Sequence, residues 1–384
     1  MESLRFTGSG SEYFKIWIVN VLLTIITLGL YYPWAKVRNR RYFYSNTILN
    51  DRNFEYHATG KQLFIGFLIA LVLFIVYTMI GQLHPGLAGI FLLIFLLAMP
   101  WLVWRSLMFN MKVTSFSNVH FSFAGTLGNS YTIFIGYPFL VMVLILVTGL
   151  LSSILIPTLE NLDSSLMGIG MVVLGIGFML AYLSFIAFLS KSIKEYVING
   201  SRYGQGIFET KLKTKKFVII MLKTAALSLI PMFGLSFVIG AIMPTMMGSS
   251  YTPGSSAIGG AELAFILGYF AMIFIMMLVM SYYVSRERAY VYENTQLDNK
   301  IAFASTLKAR SFAWIMASNF FLILITLGLY FPWAKVRVAR MMLENTKVDT
   351  SIGFDAYLTQ KQDEVSSLGE QIGDAFDVDV GVAF

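Results

Sequence analysis

Apolar and polar positions separate into long blocks along the chain. Apolar stretches occupy 14–34, 63–82, 87–104, 131–156, 166–190, 217–243, 262–284 and 312–334. A stretch of about 20 residues makes a helix of about 30 Å, the thickness of a bilayer core. The polar segments between them share a plan. Each of the five internal ones opens on an amphipathic piece and reaches an Asn: Asn46, Asn110, Asn199, Asn294 and Asn345. Each then leads into an alternating run: Phe54-x-Tyr56, Val119-x-Phe121-x-Phe123, Ile207-Phe208, Ile301-x-Phe303 and Ile352-x-Phe354. Asn50-Asp51-Arg52-Asn53, Ser117-Asn118 and Asp298-Asn299 lie in between, and strand, turn, alternating strand predicts a β-hairpin. The pattern predicts an all-α polytopic membrane protein with small β-hairpins and internal repeats. Residues 1–358 form a single pseudo-symmetric transmembrane domain on this reading, and 359–384 an acidic tail.

One element occurs twice. ITLGLYYPWAKVR at 26–38 returns as ITLGLYFPWAKVR at 325–337, with Tyr32 against Phe331 as the single difference. The match extends more weakly to Asn20 and Asn319. Gly29, Pro33 and Trp34, with Gly328, Pro332 and Trp333, describe an apolar segment that breaks and meets a headgroup surface. Lys36, Arg38, Lys335 and Arg337 are placed to contact lipid or ligand phosphates. The competing interpretation is an ordinary juxtamembrane anchor, with the tryptophans at the interface and the cations setting topology. Asn20 and Asn319 fall inside apolar stretches, so their amides need partners, in a kinked backbone or along a polar path.

Charge sets the orientation. The 28 Lys and Arg fall in or close beside the polar segments, whereas the linkers 82–86, 157–165 and 244–262 hold none. The positive-inside rule places the polar segments and both termini in the cytoplasm, and six full spans follow. The stretches at 14–34 and 312–334 then conflict with a single crossing, because basic residues flank 312–334 on both sides. Both are expected to be re-entrant or interfacial hairpins, kinked near Thr27-Leu28-Gly29 and Thr326-Leu327-Gly328; eight spans with inverted terminal copies is the alternative.

Composition agrees. The chain is 57% hydrophobic, with a mean hydropathy of +0.70, values that belong to multi-pass membrane proteins. The net charge of +7 follows from topology, so no nucleic-acid partner is expected; membrane lipids and a cytoplasmic protein are the expected partners. Cysteine is absent, and His57, His84 and His120 form no catalytic set, so neither enzyme activity nor a metal or cofactor is expected. Ionisable residues are nearly missing from the spans, which argues against a proton-driven pump. Gly168, Gly170, Gly175 and Gly177 predict close helix packing. In the tail, Asp377 and Asp379 share one face of a strand that would dock on the basic cytoplasmic surface; the alternative is a solvated, disordered terminus. The functional expectation is passage of a small or amphiphilic solute, as transporter or channel. The alternatives are a non-catalytic scaffold that binds a cytoplasmic partner, and a lipid-handling enzyme.

The doubled element, the early FTGSGSEYF at 6–14 and the closing FDVDV at 376–380 resemble the YjgN-like family of bacterial inner-membrane proteins. The resemblance covers essentially the whole chain. It implies a multi-pass protein of the bacterial cytoplasmic membrane and lends no catalytic residues, since that family has no assigned activity.

Overall fold

The computed structural model describes residues 1–159, 164–247, 260–350 and 353–363. The expectations for Ile352, Asp377 and Asp379 lie outside the described residues. Helices dominate. Among the described residues six are long and apolar enough to cross a membrane: α3 (Gly60–Leu83), α4 (Pro85–Lys112), α6 (Tyr137–Leu159), α7 (Ser164–Gly200), α8 (Thr214–Met247) and α9 (Gly260–Glu293). α6 is led in by the short α5 (Leu127–Tyr131) and a π-helical turn, Thr132–Gly136. The other helices are shorter: α1 (Gly10–Ile26), α2 (Tyr32–Ser45), α10 (Ala309–Ile325), α11 (Phe331–Glu344) and α12 at 354–363.

The strands join in one antiparallel sheet. They are β1 (Glu2–Ser3), β2 (Arg5–Phe6), β3 (Thr47–Leu49), β4 (Arg52–Tyr56), β5 (Thr114–Phe116), β6 (Val119–Phe123), β7 (Ser201–Tyr203), β8 (Gly206–Thr210), β9 (Thr295–Leu297), β10 (Ile301–Ser305) and β11 (Thr346–Val348). Their order runs β1-β11-β10-β9-β8-β7-β6-β5-β4-β3-β2. The two ends of that order, β1 and β2, are separated only by Leu4, whose amide donates to Thr346 O at 3.0 Å. The sheet therefore closes into a ring, with residues 2–6 pairing β11 on one side and β3 on the other.

Antiparallel pairing fixes what hangs from each rim. The residue pairs Asn50-Asp51, Ser117-Asn118 and Asp298-Asn299 turn the chain with φ between 48° and 63°, the doubly left-handed geometry of a tight hairpin, and the third loop adds Lys300. They share one rim. The helices leave from the opposite rim in pairs, each pair beginning and ending on neighbouring strands. At every return to the ring a hydroxyl on the first strand residue donates to the carbonyl four residues back: Thr47 to Phe43, Thr114 to Asn110, Ser201 to Val197, Thr295 to Val291 and Thr346 to Met342. This corrects the alignment drawn from asparagines. Asn46, Asn294 and Asn345 precede that hydroxyl directly, but Val113 and Gly200 hold the place assigned to Asn110 and Asn199.

The ring interior is apolar. Leu4, Leu49, Phe116, Val119, Tyr203, Leu297, Ile301 and Val348 are buried there, one or more from most strands, together with Phe354, Tyr357 and Leu358 of α12. The alternating run at Ile352-x-Phe354 is thus not a strand where it is described: Phe354 opens a helix that plugs the turn rim. The Tyr357 hydroxyl donates to Asp298 Oδ2 at 2.8 Å, and Lys361 Nζ reaches the same oxygen at 3.2 Å. Burial alone would raise the Asp298 pKa. The Ile207 amide, Tyr357 and Lys361 outweigh it and hold the carboxyl below its ordinary value.

The terminal apolar stretches are not single helices. α1 ends at Ile26 and α2 begins at Tyr32, and α10 and α11 break in the same way between Ile325 and Phe331. Both halves of each pair are anchored on the ring, α1–α2 on β2 and β3, α10–α11 on β10 and β11. The glycines of α7 do not pack as expected. A Cβ added at Gly168, Gly170, Gly175 or Gly177 would meet nothing within 4 Å, because this part of α7 stands clear of the other described helices.

Candidate functional site

The doubled element builds the breaks. Leu28 (φ 50°) and Gly29 (φ 92°) turn the chain, as do Leu327 (φ 50°) and Gly328 (φ 93°). Glycine carries the second of these conformations without strain. Thr27 Oγ1 donates to Leu23 O and accepts from the Tyr31 amide; Thr326 does the same with Leu322 and Tyr330. Every amide from Thr27 to Ala35 finds an acceptor, Pro33 having none to offer. A turn with its backbone satisfied internally can sit in an apolar medium. Its apex is apolar too, with Ile26, Leu28, Ile325 and Leu327 each at least 75% exposed.

Pro33 and Pro332 are fully buried in the first turns of α2 and α11. The tryptophans do more than mark an interface. Trp34 lies over Gly60 at the start of α3 and stacks near Phe64 at 4.9 Å. Trp333 lies over Gly10 at the start of α1, with Phe14 at 4.9 Å. Each copy of the element thus clamps the next helix around the ring. Both clamped helices open on a capping box, Ser9 with Glu12 and Thr59 with Gln62.

The cations separate. Arg38 is exposed, whereas Arg337 turns inward to Asn319 Oδ1 at 2.8 Å and Ser318 Oγ at 3.0 Å. Lys335 donates to the Tyr13 hydroxyl at 3.1 Å and lies over the rings of Tyr13 and Phe43; desolvation lowers its pKa. Lys36 stands in a cleft of about 1140 Å³ bounded by α2, α3, α4, β6 and the β7–β8 turn. Desolvation, then the charge of Arg40, lowers its pKa.

That cleft gathers Lys36, Arg40, Arg105 and Lys112, with Gln62, Ser106, Asn110 and Ser122 among its polar groups and no acidic residue in its lining. Arg40 is held by the Tyr56 hydroxyl and Asn110 Oδ1. Arg105 lies 6.0 Å from the Trp101 ring centre. Gly66 and Leu102 line the cleft and also an apolar groove of about 410 Å³ between α3 and α4, whose walls include Ile69, Leu73, Phe74 and Phe95. The cationic cleft and the apolar slot are therefore neighbours that share two wall residues.

Of the residues singled out in the sequence, this site uses Lys36, and Asn110, His120, Phe121 and Phe123 also stand in its lining. Arg40, Arg105 and Lys112 were missed, although Arg105-x6-Lys112 puts two cations on one helix side two turns apart. His57 and His120 are brought together on the sheet, ring centres 5.0 Å apart, with His57 Nε2 bonded to Ser115 Oγ at 2.7 Å. Among the described residues no group of His, Asp and Glu is arranged to hold a metal ion.

Comparison with known proteins agrees with the resemblance seen in the doubled element. The chain is 29% identical to a Salmonella typhimurium protein named Inner membrane protein YjgN, over 90% of this chain and 88% of the relative. It is 27% identical to the protein of the same name from Escherichia coli K12, over 90% and 87%. No solved structure matches. The family model described as "Bacterial protein of unknown function (DUF898)" matches residues 1–375, and the chain belongs to that family.

Proposed function

We propose that this is a multi-pass protein of the bacterial inner membrane that binds an anionic amphiphile and passes it along the α3–α4 hairpin. The observation that carries this reading is that the cationic cleft and the apolar groove adjoin, with Gly66 and Leu102 in the walls of both. An acidic headgroup finds Lys36, Arg40, Arg105 and Lys112, and a hydrocarbon chain finds Ile69, Leu73, Phe74 and Phe95. Arginine forks and lysine point charges both suit phosphate oxygens. The groove is open along the helices, as sideways exchange with lipid requires. No bond is made or broken in this scheme.

The same reading sets the ring in the cytoplasm, beside the basic helix ends. α3–α4, α6–α7 and α8–α9 cross and return. α1–α2 and α10–α11 dip in with their apolar apices and come back, which their internally bonded turns permit.

Native mass spectrometry of the detergent-purified protein with phosphatidylglycerol and phosphatidylcholine tests the binding. Arg105→Gln is expected to weaken phosphatidylglycerol about tenfold, the loss of one charge-assisted contact. Gly66→Leu is expected to weaken it by obstructing the junction, where a side chain has open space to occupy. Equal affinity for both lipids, unchanged by either substitution, would refute the site.

A further inference from the structure

A second, open cavity of about 580 Å³ is lined by α1, α2 and one residue of α11, and shares Lys36 and Arg40 with the cationic cleft. Its lining includes Asn20 and Thr24 from α1, Lys36, Asn39 and Arg40 from α2, and Lys335 from α11. Asn20 is only 3% exposed. Its Nδ2 donates to Asn39 Oδ1 at 3.1 Å, and its Oδ1 has no partner among the described residues. Turning the amide over would only exchange which of its two atoms is left over. A buried amide atom without a partner costs free energy, so an occupant that meets it gains by that amount.

The twin position shows what such an atom accepts. Asn319 is as buried, but its Oδ1 receives Arg337 Nη1 and its Nδ2 donates to Ala334 O at 3.3 Å. Arg337 is steadied there by Ser318. In the first copy Val19 replaces Ser318, and Arg38 stays outside. One copy fills its amide from within, and the other leaves one amide atom unpaired and buried in a residue that lines a cavity. Lys36 and Lys335 open into that same cavity, and neither is paired with a carboxylate among the described residues.

We propose that the cavity between α1, α2 and Lys335 binds a phosphate ester carrying a free hydroxyl, of the phosphoglycerol kind. The phosphate sits between Lys36 and Lys335, and the hydroxyl meets the open atom of Asn20. A hydroxyl both donates and accepts, so it satisfies either orientation of the amide. Lowered pKa values at Lys36 and Lys335 fit this arrangement, because desolvated ammonium groups gain from an anion. The two sites share Lys36 and Arg40 and are told apart by Asn20 and Lys335, which line only this cavity, and by Arg105, which lines only the other.

Isothermal titration of the purified full chain with glycerol 3-phosphate and with inorganic phosphate tests the hydroxyl. Competition by phosphatidylglycerol or phosphatidate in nanodiscs tells a free ester from a lipid headgroup. Glycerol 3-phosphate or phosphatidylglycerol is expected to bind about tenfold tighter than its hydroxyl-free counterpart, and Asn20→Leu is expected to abolish that preference. Lys335→Gln is expected to weaken both members of each pair, Lys335→Arg to retain binding, and Arg105→Gln to leave this site unchanged. If Asn20→Leu does not fold, the lysine pair decides. The proposal is overturned by equal binding of hydroxylated and plain phosphates, or by unaltered affinity in Lys335→Gln. Loss of the groove site alone, in Arg105→Gln, leaves it standing.

Discussion

Placing a methyl group at Gly60 tests whether the doubled element acts as a clamp. A Cβ there would lie 2.2 Å from Trp34 Cδ1 and 2.5 Å from its Cγ and Nε1. Carbon atoms rest at about 3.5 Å or more, so the indole must retreat by roughly 1.3 Å. It is hemmed in by Phe64 and Tyr31, ring centres 4.9 and 6.1 Å away. Overpacking of this kind costs about 1–3 kcal/mol, against at most about 1 kcal/mol returned by the better helix propensity of alanine. Gly60→Ala is therefore expected to be destabilising by about 1–2 kcal/mol. Gly66→Ala, in the same helix with open space around it, is expected to be neutral or slightly stabilising. In a Trp34→Ala background the clash is gone, and Gly60→Ala should change sign. Thermal unfolding in detergent, followed by circular dichroism across this double-mutant cycle, reads the coupling. The clamp is refuted if Gly60→Ala raises the midpoint as Gly66→Ala does, with no coupling to Trp34.

Three further outcomes follow from named contacts. Asp298 has a pKa held below its ordinary value, so its contribution is present above about pH 4 and is lost as pH falls through the lowered value; hydrogen exchange in 354–363 should rise over that acid window and already be raised at neutral pH in Asp298→Asn. Arg337→Gln strands the buried Asn319 amide and should cost about 1.5–3 kcal/mol, whereas Arg38→Gln at the exposed twin position should fall within about 0.5 kcal/mol of the parent, both read from unfolding midpoints. The chain has no cysteine, so single cysteines report sidedness directly: His84→Cys should react with an impermeant maleimide in intact cells and Lys300→Cys only after permeabilisation, and the reverse result would invert the proposed topology.

Hydropathy placed the long helices to within a few residues at their apolar ends, because lipid-facing surface must be apolar whatever its neighbours are. It missed their basic extensions, such as 105–112 of α4, which continue as helix down to the ring. The Thr-Leu-Gly breaks and the hairpin turns were legible for a local reason: each needs residues that tolerate positive φ, at set positions. Closure of the sheet was not legible. Val348 pairs with Glu2 across nearly the whole chain, and strands this short carry no signal of their partner. The α12 helix was misread from Ile352-x-Phe354, although Phe354, Tyr357, Leu358 and Lys361 follow the helical spacing i, i+3, i+4, i+7. The cationic cleft stayed hidden because α2 and α4 supply it from segments some 70 residues apart, as the Arg40–Asn110 contact shows.

Because residues 2–6 pair with β3 on one side and β11 on the other, assembly has an enforced order. Arg5 and Phe6 can pair with β3 once Thr47–Leu49 has been made, but Glu2 and Ser3 wait until Thr346–Val348 has been made. Every helical pair is therefore synthesised before the seam can shut. A product that stops short of β11 keeps two raw edges of unpaired amides and carbonyls. Such edges distinguish a truncated polypeptide from a finished one, and they are what a quality-control protease or chaperone would meet.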